Sequence, residues 1–181
     1  MKKISLIAVS VFLACNLAYS DMPNSIAGIE VGDTVSKARD QLRHLEGYTL
    51  KPFGYGHLDC GVEIEAKYND GEIELYAFDD KVSYINFTSE IPGTQQEISR
   101  AIQNKYGRAN DVINHGDRIE LYYSSGSLYK RVHIQIFKLP DINGIYMTLS
   151  HENLQRIMRE NQQCNENLKI EGADSSVIPN V

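Results

Sequence analysis

A helix start and a helix stop are written twice in this chain, sixty positions apart: Thr34 recurs as Thr94, and Gly47 as Gly107. Between the first pair, Val35, Ala38, Leu42 and Leu45 fall on one stripe of a helix, with Lys37, Arg39, Asp40 and Arg43 around the rest. A side-chain oxygen of Asp33 or Thr34 can accept a hydrogen bond from a free N–H of the first turn. Gly47 suits the left-handed residue that ends a helix. Between the second pair, Thr94 and Glu97 form a capping box, in which two free N–H groups are satisfied reciprocally. Ile98, Ala101, Ile102 and Tyr106 make the apolar stripe, and Lys105 and Arg108 place cations near the negative end of the helix.

The segments behind each helix alternate with period two. After the first helix comes a loop, Tyr48 to Asp59, broken by Pro52, Gly54 and Gly56 and carrying Tyr48, Phe53 and Tyr55. Its aromatics either anchor the loop on the core or form a binding loop. Val62, Ile64, Ala66 and Tyr68 then alternate with Glu63, Glu65 and Lys67, and Asn69-Asp70-Gly71 is a hairpin signal. Ile73, Leu75 and Ala77 alternate with Glu72, Glu74 and Tyr76. Asp79-Asp80 turns the chain into a third strand, with Ile85 and Phe87 on one face and Val82 and Tyr84 on the other. After the second helix and a polar loop, 109–117, three more strands are expected. They are Ile119 to Tyr123, Leu128 to Lys138 and Ile145 to Leu149, with turns at 124–127 and 139–144. Ser150 caps a last helix, 151–164, and a polar tail, 169–181, ends the chain. The pattern predicts an α+β domain of two α-βββ units, about 26–90 and 91–150. Their strands join in one antiparallel sheet with helices on one face and polar side chains on the other, and a C-terminal helix is added.

The chain opens on Lys2-Lys3 and an apolar run, Ile4 to Ala14, too short to span a bilayer. Ala18-Tyr19-Ser20 offers small residues to a signal peptidase, so residues 1–20 read as an export signal and the mature chain starts at Asp21, in the periplasm. The rival is lipoprotein processing at Cys15. Cleavage after Ser20 leaves 16 basic against 24 acidic residues, too acidic a balance for nucleic acid or an anionic membrane and suited to a basic partner. It also leaves two cysteines, Cys60 and Cys164, which an oxidising compartment is expected to join.

The run Ile29-x-x-Gly32-x-Thr34, its striped helix, loop and meander resemble the repeat unit of the β-lactamase-inhibitor-protein-like fold. The outer-membrane assembly lipoprotein BamE is similar as a single unit. The likeness covers about Ile26 to Leu149. Asp33 stands where the unit usually has Met, and the second unit keeps only Gly93-Thr94. The resemblance implies two units whose shared sheet grips a protein partner.

No catalytic constellation stands out. His44, His57, His115, His133 and His151 are scattered, with no metal-ligand spacing, and His57-x-Asp59-Cys60 reads as a surface turn beside a disulfide. Glu63, Glu65, Glu72 and Glu74 read as a solvated sheet face before a glycosidase pair. There is no Gly-x-Ser-x-Gly, phosphate loop or dinucleotide fingerprint. Tyrosine placement is the informative feature. Tyr76, Tyr122, Tyr129 and Tyr146 share the polar register with Arg131 and His133, and tyrosine offers rigid contact area with a polar tip. High β propensity would put tyrosines there as well. These six residues and Tyr55 are the expected contacts of a non-enzymatic inhibitor or immunity protein that needs no cofactor or metal. The alternative is an envelope scaffold of BamE type.

Overall fold

The computed structural model describes residues 25–54, 56–124, 131–138, 142–151 and 153–174. Strands β1 (Ser25–Ile26) and β2 (Ile29–Glu30) form a small hairpin. Its two turn residues, Ala27 and Gly28, both have positive φ, the geometry that matches the twist of paired strands. Helix α1 (Val35–Leu42) starts where Thr34 Oγ1 accepts the Lys37 N–H at 3.2 Å. Asp33 instead accepts the Glu30 N–H at 2.8 Å and pairs with Lys37, so the two candidate caps divide the work. The helix ends at Leu42, short of Gly47, whose φ of 69° marks the later turn.

Four antiparallel strands come next: β3 (Thr49–Pro52), β4 (Val62–Tyr68), β5 (Gly71–Phe78) and β6 (Lys81–Ile91). Helix α2 (Gln95–Tyr106) carries the expected capping box, with the Glu97 N–H on Thr94 Oγ1 and the Thr94 N–H on Glu97 Oε2 at 2.8 Å. Four more strands succeed it: β7 (Asp111–Asn114), β8 (Arg118–Ser124), β9 (Arg131–Lys138) and β10 (Asn143–Ser150). They join in one eight-stranded sheet of order β3-β4-β5-β6-β10-β9-β8-β7. The fourth strand of each meander therefore meets its counterpart at the centre of the sheet. In place of the expected three strands, each helix has four behind it. The added strands, β3 and β7, are the sheet's edges, four residues each and mostly exposed, one ending in Pro52. Short edges, one of them closed by a proline, keep a sheet from recruiting further strands, and with Leu50, Val112 and Ile113 exposed they show no apolar alternation.

Helices α1 and α2 cover one face. Ala38, Leu42, Ile98 and Ile102 pack onto Ile64, Leu75, Ile85, Leu121, Ile134, Ile136 and Leu149, all buried. Gln95 ties the start of α2 to the second meander by donating to the Asp117 and Ile136 carbonyls at 2.7 and 2.9 Å. The facing expected of Val82 is corrected: it is 1% exposed and belongs to the helix-covered core with Ile85. The register slips between Tyr76 and Ala77, leaving Ser83 as an extra residue on β6, and such a bulge flips the alternation.

Helix α3 (Leu154–Asp174) begins later than expected, since Ser150 ends β10 and does not cap the helix, and it continues past Cys164, so the first part of the expected tail, 169–174, is helical. Among the described residues no helix is long and apolar enough to cross a membrane. Cys164 bonds Cys60 with Cα atoms 5.7 Å apart. Asn161 Nδ2 donates to the Cys60 carbonyl at 2.5 Å, and Asn165 Oδ1 accepts the His57 N–H at 2.6 Å. These contacts place α3 over a corner of the other face, against Phe53, Tyr76, Phe78 and Tyr84.

Candidate functional site

The face away from α1 and α2 is set by register. One row of cross-strand neighbours reads Thr49, Glu65, Glu74, Asn86, Thr148, His133, Tyr122, Asp111. The next reads Lys51, Glu63, Tyr76, Tyr84, Ser150, Arg131, Ser124. On the far side lie Lys67, Glu72, Thr88, Tyr146, Gln135 and Glu120. Alternation along each strand turns the complementary residues inward, so a polar surface this wide arises from the same pattern that builds the core.

In the second meander this face is organised on Glu120, buried to 6% exposure. Its carboxylate accepts from Arg118 Nε at 2.6 Å and from the Tyr122 hydroxyl, and it lies 3.1 Å from His133 Nε2 and 3.3 Å from His115 Nε2. The Tyr122 ring stacks on His133, centroids 4.4 Å apart and planes within 8°. The Tyr122 hydroxyl first, and the Arg118 guanidinium second, hold the Glu120 carboxyl down at about 2, and the carboxylate in turn raises the Tyr122 phenol. The result is a rigid plate of one phenol and one imidazole, fixed from beneath by a buried anion.

At the centre, the Tyr84 and Tyr146 hydroxyls meet at 3.1 Å. Burial chiefly, and this contact next, push the Tyr84 phenol up. Beside them, Asn86 Oδ1 and Thr148 Oγ1 are buried, with no hydrogen-bond partner among the described residues. In the first meander, Glu63, Glu65 and Glu74 bring carboxylate oxygens within 4.8 Å of one another. Lys51 reaches in from the edge strand, with Nζ 2.8 Å from Glu65 and 3.3 Å from Glu63. Burial raises the Glu63 carboxyl, whereas the Lys51 hydrogen bond lowers that of Glu65. These three acids are the group among the described residues that could hold a metal ion; Lys51 already lies between two of them. His57 and Asp59 pair at 3.2 Å in an exposed turn beside the disulfide.

Of the expected contact residues, Tyr76, Tyr122, His133, Tyr146 and Arg131 share this face. Tyr122 and His133 are brought together, and Tyr146 reaches Tyr84. Arg131 is exposed at the end of β9, and Tyr76 is half-covered by Phe53 at 4.7 Å and Tyr84 at 5.3 Å. Tyr55 and Tyr129 lie outside the described residues. Glu120, Arg118, His115 and Tyr84 join the face without having been expected there as contacts. The alternation around Glu120 is readable in the sequence, but its convergence with His133 depends on the β8–β9 register.

The fold and face define an α+β protein with an open polar sheet surface. No protein-family model matches the chain, and no curated protein matches it. Among solved structures, the crystal structure of a DUF4309 family protein (YjgB) from Bacillus subtilis subsp. subtilis str. 168 is similar, at 17% identity and a TM-score of 0.43, over 72% of this chain and 87% of that one. At that level the likeness carries no argument about function.

Proposed function

We propose that the chain is an exported, non-enzymatic protein-binding module of inhibitor or immunity type, which grips its partner with the sheet face opposite α1 and α2. The observation that carries this is the Tyr122–His133 plate held on Glu120. Rigid aromatics with polar tips are what protein interfaces favour, and here the anchoring charge is already paired, so contact leaves no orphan ion. The disulfide supports an oxidising compartment such as the periplasm. The acidic balance, with Glu63, Glu65, Glu72 and Glu74 on the same face, favours a basic partner. The recurrence of helix and four-strand meander, meeting at β6 and β10, supports reading the domain as a duplicated unit of the inhibitor-like kind.

Pull-down from periplasmic extract with Tyr122→Ala and His133→Ala tests the surface. Each should weaken retention of the same partner at least about tenfold, as a central aromatic contact does; unchanged retention sinks the proposed face. The envelope-scaffold alternative rests on Cys15. Mass spectrometry of the mature N-terminus separates the two: a start at Asp21 favours the soluble binder, and a lipidated Cys15 the scaffold.

A further inference from the structure

Helix α3 crosses a corner of the open sheet face with little of its apolar surface buried. From Asn153 to Leu168 the buried side chain is a polar one, Asn161, while Leu154 and Ile157 stay partly exposed and Met158 is 44% exposed. What holds the helix lies to either side of these apolar residues. At its start the chain leaves β10 with the His151 N–H on the Ser83 carbonyl at 2.9 Å. Farther along, Cys164 bonds Cys60, Asn161 donates to the Cys60 carbonyl at 2.5 Å, and Asn165 accepts the His57 N–H at 2.6 Å. Covalent and polar anchors, and not apolar packing, thus fix its height above the sheet.

The space spanned between these anchors is a cavity of about 260 Å³. Phe53, Tyr76, Phe78 and Tyr84 line it from the sheet side, Leu154 and Met158 from the helix, and none of the six carries a charge. Phe53 stands edge-on to Tyr76 and to Phe78, at 4.7 and 5.0 Å, so the rings brace one another. The Tyr84 hydroxyl is engaged with that of Tyr146 at 3.1 Å. Burial, ahead of other causes, pushes the Tyr76 and Tyr84 phenols up, as a poorly hydrated wall does. Water in such a space finds few partners and is readily displaced. An ion entering it sheds hydration with no opposite charge on the wall to replace it. An apolar cavity of about 150 Å³ already admits a benzene ring, whereas sites for drug-sized ligands begin at roughly 300 Å³. The cavity under α3 lies between the two.

We propose that this corner is a binding site for a small uncharged aromatic molecule, one ring with at most a short neutral substituent, seated among Phe53, Tyr76, Phe78 and Tyr84 and covered by Leu154 and Met158. The site is separate from the Tyr122–His133 plate, and it stands whether or not that plate contacts a protein.

The test uses the oxidised protein and three probes of similar size: benzyl alcohol, benzylamine and benzoate, at neutral pH, where the last two are charged. Binding is followed by calorimetry and by the Met158 methyl resonance, assigned with Met158→Leu. Benzyl alcohol should shift that methyl and bind at least about tenfold more tightly than either ion. Added salt should leave its affinity unchanged. Leu154→Trp, which fills the cavity from the helix side, should abolish the shift while circular dichroism shows the chain still folded. No methyl shift with any probe, or an ion bound as tightly as the alcohol, overturns the proposal; so does a shift that survives in folded Leu154→Trp. The comparison of alcohol with ions is made on the natural chain, so it decides the proposal even if the variant does not fold.

Discussion

Glu120→Gln keeps the shape of the residue beneath the aromatic plate and removes its charge. In the folded chain the Tyr122 hydroxyl and Arg118 hold this carboxyl at about 2, against 4.5 for a free glutamate. A carboxyl depressed on folding adds stability that is complete above its unfolded value and is lost as pH falls through the folded one. The window therefore runs from about pH 4.5 down to about 2. Taken alone, such a displacement corresponds to ~3 kcal/mol. The open side of the face lets solvent and counterions screen it, and about 1–2 kcal/mol is the expected share. Urea unfolding of both proteins, with the disulfide intact, should show the natural chain more stable by that amount at pH 7. The gap should close as pH drops from 5 toward 2, while carboxyls common to both proteins cancel in the difference. A gap that stays constant across this range would refute the electrostatic origin assigned to Glu120.

Three further outcomes concern the scaffold. Reducing or removing Cys60–Cys164, which closes a separation of 104 residues, should cost about 4–5 kcal/mol on the chain-entropy model, read as a fall in midpoint temperature. Gly61→Ala would put a Cβ 2.7 Å from Asn161 Nδ2 and 2.8 Å from a Phe78 ring carbon; a loss of about 1–3 kcal/mol and faster amide exchange in α3 are expected. Thr94→Ala opens the capping box and should cost ~1 kcal/mol by denaturant titration, whereas Thr94→Asp should recover most of it.

Much of the scaffold was legible because its signals are local. Thr34 and Thr94 cap where the pattern places them, Asn69 takes the positive φ its hairpin needs, and Ile64, Leu75, Leu121 and Ile134 are buried as their alternation implies. The edges β3 and β7 were not legible, since four mostly exposed residues are too few to show an alternation. The facing of Val82 failed on one inserted residue, Ser83, which no periodicity announces. The position of α3 depends on where Cys60 lies in space, which its own apolar stripe does not reveal. The face itself was readable as a register of tyrosines. Its organisation around Glu120 was not, because His133 reaches that carboxylate from another strand only through the β8–β9 pairing, and His115 only through the turn that precedes β8, where Arg118 already stands two residues away.

The claim that the open sheet face grips a protein partner is tested most directly by photo-crosslinking in the cells that make the protein. A photoreactive residue is placed in turn at Tyr122 and Tyr146 on that face, and at Arg39 and Arg100 on the exposed sides of α1 and α2. Both sheet positions are expected to capture one and the same protein, with the two helix positions capturing none of it. Adducts to that protein from Arg39 or Arg100, with none from Tyr122 and Tyr146, would contradict the claim.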